Sequence, residues 1–169
     1  KEIVRGKEER ILEIGCGLGR LVDHFYNLGH DIIGIDRSKI AIANILKYKK
    51  NLKVKLGDVN KLNFKNESFD VMFAFGVYHN IEYDLDKAIK EFSRVLKKNG
   101  RFVISMRPDN LETYLNERYW LFKNRKKEHK EFKFHKLAVK EKEFENLLLK
   151  LNLKVKKIDR ARNMSFLFR

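Results

Sequence analysis

Gly15-Cys16-Gly17-Leu18-Gly19 constrains this chain more than any other stretch. It follows a short apolar run ending in a carboxylate, Arg10-Ile11-Leu12-Glu13-Ile14, and leads into a segment whose apolar residues recur at helical spacing. Strand, glycine turn and helix, in that order, build the ligand-binding corner of an open α/β sheet. Glycine lets the main chain approach a ligand with no Cβ in the way. The start of the following helix offers free N–H groups. The spacing then narrows the ligand. A dinucleotide fingerprint reads G-x-G-x-x-G, and its last glycine would fall where Arg20 stands; here the third glycine comes one residue early, at Gly19. Glu13 is also out of place beside a pyrophosphate, because like charges repel, but it suits a cation such as an amino group. A nucleoside carrying an amino acid meets both conditions, and a dinucleotide meets neither.

Hydrophobic periodicity extends this unit into a β-α-β-α series. Residues 10–14 read as a strand. Residues 18–28 read as a helix through Leu18, Leu21, Val22, Phe25 and Leu28, stopped by Gly29. Asp31–Asp36 is a second strand, Ser38 the N-cap of a helix over 39–49, and Leu52–Leu56 a third strand. Phe69–Phe75 is nearly continuously apolar, as a buried central parallel strand should be. A helix over 84–98 is expected to stop at Asn99-Gly100, before a fifth strand over Arg101–Met106. Past Pro108 the pattern breaks, and residues 109–136 read as a polar, basic and aromatic insertion with some helix. A helix over 141–151 and two strands, Leu153–Ile158 and Met164–Phe168, complete the chain. The expected architecture is an open, mostly parallel sheet with helices on both faces.

The 169 residues suit one domain, 1–169, with a sizeable core. No apolar run approaches the roughly 18 residues of a membrane span, and no signal-peptide pattern opens the sequence. A single cysteine leaves no internal disulfide and no cysteine-based zinc site, so the expected location is cytoplasmic, away from membranes. Cys16 lies inside the glycine turn and reads as a small packing residue. The formal charge of +15 is unevenly spread, with 19 Lys and Arg against 9 Asp and Glu in residues 101–169. Such an excess suits a polyanionic partner; a generally lysine-rich composition gives the same number.

The run E-x-G-x-G-x-G after the first strand, Glu13 to Gly19, resembles the S-adenosylmethionine motif of class I methyltransferases. The resemblance is nearest to the broad type 11 and type 25 methyltransferase domains and covers nearly the whole chain. It implies a Rossmann-like doubly wound sheet of seven strands, mostly parallel, with the last antiparallel. It implies S-adenosylmethionine as cofactor and S-adenosylhomocysteine as product. Candidate cofactor-binding residues fall at successive strand ends. Glu13, with Gly15, Cys16, Gly17 and Gly19, would hold the methionine moiety. Asp36, beside Arg37 and about 20 residues past the turn, would accept the ribose hydroxyls. The resemblance gives Asp58 the adenine amino group and Val59 a backbone N–H to the base, with Phe75 and Gly76 flanking the methionine. Family members usually begin with one or two helices covering the cofactor. Only nine residues precede this first strand, so that cap is expected to be short or missing.

Methyl transfer asks for alignment and exclusion of water more than for acid–base catalysis, so the acceptor is poorly written in the sequence. The run Phe75-Gly76-Val77-Tyr78-His79-Asn80 is not the Asp/Asn-Pro-Pro-Tyr/Phe run of base amino-methylating enzymes. Cys16 is no substitute for the proline-flanked nucleophile of cytosine C5 enzymes. Glu82 and Asp84 after Asn80 do not make a convincing magnesium site of the catechol type, and no metal is expected. Tyr78 and His79 are the candidate catalytic residues, to position or deprotonate an acceptor O or N atom, a task for which histidine's near-neutral pKa suits it. His79 as a loop cap or a packing group is the alternative. Residues 109–136 interleave Tyr114, Tyr119, Trp120, Phe122, Phe132 and Phe134 with basic side chains. They read either as a solvated amphipathic lid or as a surface for phosphates and stacked bases. Candidate partners are accordingly a small-molecule acceptor, then tRNA or another RNA. A binding module that keeps the fold without catalysis is the alternative function.

Overall fold

A computed structural model describes residues 3–78, 84–109, 111–123, 139–161 and 164–168. Strand β1 (Arg10–Ile14) is followed by helix α1 (Arg20–Asn27), β2 (Asp31–Asp36), α2 (Lys39–Tyr48), β3 (Val54–Leu56) and β4 (Phe69–Ala74). Helix α3 (Leu85–Val95) then runs directly into β5 (Leu96–Met106). Helices α4 (Leu111–Lys123) and α5 (Glu141–Lys150) precede β6 (Lys157–Ala161) and β7 (Met164–Phe168). The strands lie in the order β3-β2-β1-β4-β5-β7-β6. The first five are parallel, and β7 pairs antiparallel with both β5 and β6.

Side-chain alternation along the central strands builds two cores. Leu12, Ile14, Met72, Ala74, Phe102 and Ile104 face α3 and α5, where they meet Ile89, Phe92, Phe144 and Leu148. Their neighbours Ile11, Val71, Phe73 and Val103 face the other way and pack with Val22 of α1 and Ile42 and Ile45 of α2. Because both faces are covered, the strands are apolar at nearly every position. The chain steps outward from β1 through β2 to β3, then returns to place β4 on the other side of β1. The strand order therefore reverses between β1 and β4, and ligands of such sheets bind at the carboxyl end of that switch point.

Local signals explain most boundaries. Ser38 caps α2 by accepting the Ala41 N–H at 3.1 Å, and Gly29 turns the chain after α1 with φ +83°. Three expected boundaries are corrected. Helix α3 ends at Val95 and not at residue 98, because Leu96 is extended, pairs with Phe69 and buries its side chain in the core. The register then shifts, and Arg101 pairs with Val71. Asn99-Gly100 therefore lies in an irregularity inside β5, with the Leu96 side chain packed over Gly100. The strand expected at Leu153 starts instead at Lys157, because Leu153 closes α5. Its N–H reaches the Leu148 carbonyl (2.9 Å), the Asn152 N–H reaches that of Leu149 (3.0 Å), and Asn152 has φ +59°. That is a Schellman closure, and the buried Leu153 is its apolar contact. The third strand is shorter than its alternation suggests: Leu52 is buried in the α1–α2 core, and only Val54–Leu56 pair with β2.

The excursion after β5 leaves and returns at one point. Pro108 and Val139 form a parallel bridge, with the Asp109 N–H donating to Val139 O (3.0 Å) and the Val139 N–H to Arg107 O (3.2 Å). Of the expected insertion, Leu111–Lys123 is helical, and residues 124–136 lie outside the described residues.

Candidate active site

The glycine turn is built by its backbone. Gly15 and Cys16 both donate to the Ile35 carbonyl, at 2.8 and 2.9 Å, which ties the end of β1 to the end of β2. Gly15 has φ +72°, and a Cβ there would press on Val77 Cγ2 at 2.4 Å. Gly17 has φ +51°, and a Cβ there would meet open space. Left-handed backbone favours glycine at both, but only Gly17 leaves room beside the chain for a ligand. Gly19 is different in kind: it is the buried N-cap of α1, seated against Ile45 of α2.

Two acids hold this corner. The Asp36 carboxylate accepts the Gly17 N–H (2.8 Å) on one oxygen and the Ser38 N–H (2.8 Å) on the other, so it latches the glycine turn to the end of β2. Each oxygen keeps a further lone pair. Glu13 is 6% exposed and accepts the Val22 N–H at 3.2 Å. Since Gly19 has no side chain to cap α1, Glu13 caps the helix from the strand below. Burial pushes its carboxyl up to about 7, against the Val22 hydrogen bond; nearby Asp36 pushes the same way and Arg20 opposes. Burial likewise pushes the Cys16 thiol up to about 12, which fits packing and not nucleophilic chemistry.

Two clefts open at the carboxyl ends of the strands. One, of about 280 Å³, is lined by Asp36, Arg37, Asp58, Val59, Asn60, Gly76 and Val77 among others. The other, of about 670 Å³, is lined by Glu13, Cys16, Gly17, Leu18, Arg20, Leu21 and His24. Gly15 and Phe75 line both. Asp58 accepts the Asn60 N–H and side-chain amide on Oδ1, at 2.9 and 3.1 Å, which leaves Oδ2 of the carboxylate. The turn after β4 is pinned where the Gly76 N–H donates to Ser105 Oγ, fully buried on β5, at 2.8 Å.

The cofactor candidates thus line two neighbouring clefts that share Gly15 and Phe75, apart from Gly19, which packs against Ile45. Tyr78 does not join them. It is 2% exposed, packs edge-on against Phe92, and its hydroxyl finds no partner among the described residues. Burial holds its pKa well above the ordinary tyrosine value, a setting for core packing and not for proton abstraction. His79 lies outside the described residues. Sequence reading missed Ser105, and it missed Arg20 and His24 as lining residues. The i, i+4 spacing of that last pair on α1 was the available signal.

An open sheet with its cleft at the switch point and a glycine turn between two acids defines a nucleotide-cofactor-binding Rossmann-like domain. Comparison with known proteins narrows the class. A family model described as a methyltransferase domain, type 11, matches residues 12–104. The ubiquinone biosynthesis O-methyltransferase of Pelagibacter ubique is 35% identical over 113 residues, 64% of this chain and 46% of that protein. The uncharacterized methyltransferase YcgJ of Bacillus subtilis is 32% identical over 102 residues, 57% of this chain and 40% of that protein. The crystal structure of YcgJ superposes with a TM-score of 0.70 at 23% identity, covering 86% of this chain and 62% of that one. A S-adenosylmethionine-dependent methyltransferase from Methanosarcina mazei superposes with a TM-score of 0.77 at 20% identity, covering 97% of this chain and 92% of that one. The chain belongs to the type 11 methyltransferase domains, a class I family that uses S-adenosylmethionine. It spans under half the length of these two curated relatives.

The residues present fit that cofactor. Open space beside Gly17, where a Cβ would intrude, adjoins Asp36, whose latched carboxylate retains acceptor capacity. The two clefts meeting at Gly15 and Phe75 give room for a nucleoside in one and an amino-acid chain in the other.

Proposed function

We propose that this chain is a single methyltransferase domain that moves a methyl group from S-adenosylmethionine to an O or N atom of a small-molecule acceptor. The observation that carries the reading is the pair of clefts joined at Gly15 and Phe75, one walled by Asp36 and Asp58 and the other by Glu13. When bound, the cofactor supplies a methyl group already activated by its sulfonium. The chain's own residues then hold and orient. Asp36 accepts the ribose hydroxyls on its remaining lone pairs, and Asp58 Oδ2 with the Val59 N–H reads the adenine edge. Glu13 faces the amino group, and Phe75 and Gly76 flank the methionine across the switch point. Arg37 borders the ribose side of the same cleft.

Tyr78, buried and neutral, supplies core packing, so any positioning of the acceptor falls to His79 or to the segment after β5. Among relatives, three are named for ubiquinone biosynthesis, demethylmenaquinone and a sterol, and one for lysine and the N-terminus of a protein. That balance supports a small molecule ahead of a macromolecule. We further read the antiparallel β7 between β5 and β6 as the closing hairpin of the seven-stranded family plan. Among the described residues no helix is long and apolar enough to cross a membrane, and we place the reaction in the cytoplasm.

The test is incubation with methyl-labelled cofactor and total cell extract, followed by separation into RNA, protein, lipid and small-molecule fractions. Label in the small-molecule or lipid fraction above a Gly17→Arg control is the expected result. Label confined to RNA would move the acceptor to tRNA or another RNA. No label anywhere, with cofactor still bound, would make the chain a noncatalytic binding module.

A further inference from the structure

The cleft on the α1 side carries a permanent positive charge on its wall. Arg20 and His24, one turn apart on α1, line it together with Glu13. Arg20 is exposed and makes no salt bridge among the described residues. It stands where a dinucleotide fingerprint has its last glycine. A guanidinium at that position would crowd a pyrophosphate-binding turn, but it presents a fork of donors to a carboxylate.

We propose that Arg20 takes the α-carboxylate of the amino-acid end of the bound nucleoside, so that Arg20 and Glu13 form a clamp for a zwitterion. The proposal rests on the cofactor reading above and adds its specificity element. The charges around the cleft make such a residue necessary. Glu13 and Asp36 are both acids, and the first-turn N–H of Val22 in α1 is already taken by Glu13. A ligand carboxylate entering this corner meets two like charges and a helix end already partly satisfied. A cation on this wall offsets that repulsion, and among the described residues lining this cleft Arg20 is the only permanent cation. The ammonium end has the opposite need, which Glu13 meets. The field of Arg20 acts on Glu13, favouring its ionised form.

The clamp separates two ligands that share a nucleoside. S-adenosylhomocysteine carries the amino-acid end, and 5′-methylthioadenosine lacks it. Calorimetric titration of both, on the parent chain and on Arg20→Ala and Arg20→Lys, tests the assignment. Arg20→Ala should lose S-adenosylhomocysteine affinity by about tenfold, the low end for a charge-assisted hydrogen bond at an exposed site. It should leave 5′-methylthioadenosine within about twofold, since the nucleoside cleft is unaltered. Arg20→Lys should recover part of the loss, because it restores the charge without the fork. Unchanged affinity for both ligands in Arg20→Ala would overturn the clamp and leave the cofactor reading intact. Equal losses for both ligands would also overturn it, because they would mean a general disturbance of the turn. If the parent binds neither ligand, the cofactor reading falls and the clamp falls with it.

Discussion

Glu13 caps α1 in the ligand-free fold and, under the proposed assignment, faces an ammonium group, two duties that pull its protonation in opposite directions. Its buried carboxyl, raised to about 7 from 4.5, keeps its proton in the folded chain at pH values where the unfolded chain has lost it. The folded state therefore binds more protons between these values. The stability this contributes is fully present below about pH 4.5 and is lost as pH rises through about 7. The shift corresponds to about 3 kcal/mol. Urea unfolding of the ligand-free protein should thus show stability falling over that window. Glu13→Gln, which can still accept the Val22 N–H, should flatten the fall. Ligand binding should run the other way, since an ammonium group opposite Glu13 favours the ionised form. S-adenosylhomocysteine affinity should rise with pH between about 6 and 8 in the parent and stay level in Glu13→Gln. Affinity that is pH-independent in both proteins would remove Glu13 from the amino-group role. Asp36→Ala should cost about 1.5–3 kcal/mol of cofactor affinity by calorimetry, and unchanged affinity would withdraw the ribose assignment. The acids at the strand ends were legible because each follows an apolar strand in a repeating plan. The latch from Asp36 to Gly17 was not, because it joins two turns that only the β1–β2 pairing brings together. Tyr78 misled for a related reason: a residue just past a strand end reads as part of the site whether its ring faces the cleft or the core.

At the scale of elements, α3 shows how one side chain fixes a helix against a loop. The Arg94 guanidinium bonds to Glu91 on its own helix, at 2.7 and 2.8 Å. It also reaches the carbonyls of Phe64 and Leu62, at 2.8 and 2.7 Å, and Asn66 Oδ1 at 2.9 Å. Glu91 in turn accepts the Leu62 N–H at 2.7 Å. The loop between β3 and β4 is thereby sewn to α3. The pair is partly exposed, so solvent screening reduces its worth. Arg94→Ala should destabilise the fold by about 1–2 kcal/mol, mainly through carbonyls left without their donor. Arg94→Lys should recover little, because an ammonium with three donors cannot reach all five acceptor atoms. Equal stability of Arg94→Ala and the parent in urea unfolding would show that water replaces the guanidinium without loss. The helices and central strands were legible from periodicity, and their ends were less so. Leu96 and Leu153 both extend an apolar pattern, and each was counted with the wrong element. Leu96 belongs to the strand because it pairs with Phe69, and Leu153 belongs to the closure of α5 because Asn152 turns left-handed before it. Those are tertiary and dihedral facts that spacing alone does not contain.

For the whole molecule the open quantity is the charge of +15. Among the described residues several acids are engaged at short range: Asp31 meets Arg10 and Lys53, Asp70 meets Lys97, and Glu91 meets Arg94. The surplus is cationic and concentrated in the second part of the chain, where residues 118–136 hold eight Lys and Arg against Glu128 and Glu131. Such an excess of basic residues favours a polyanion whatever the enzyme's substrate is, so tRNA binding alone decides nothing. Salt separates the cases. Phosphate contacts release counterions, and a few of them give a log–log slope of about −2 to −4, at roughly −0.7 per single-strand contact. A small molecule held in the clefts near Gly15 and Phe75 is recognised at short range, where salt screens least. Lys126→Glu, Lys127→Glu and Lys130→Glu together should flatten the tRNA slope in a filter-binding series and leave cofactor affinity unchanged, because none of the three is among the residues lining the two clefts. Under the small-molecule reading, methyl label in that fraction should change by less than about twofold between 0.1 and 0.5 M salt, while tRNA binding collapses over the same range. Methyl incorporation that instead tracks tRNA binding through the salt series, and drops with the triple substitution, would make RNA the acceptor and the basic segment its docking surface.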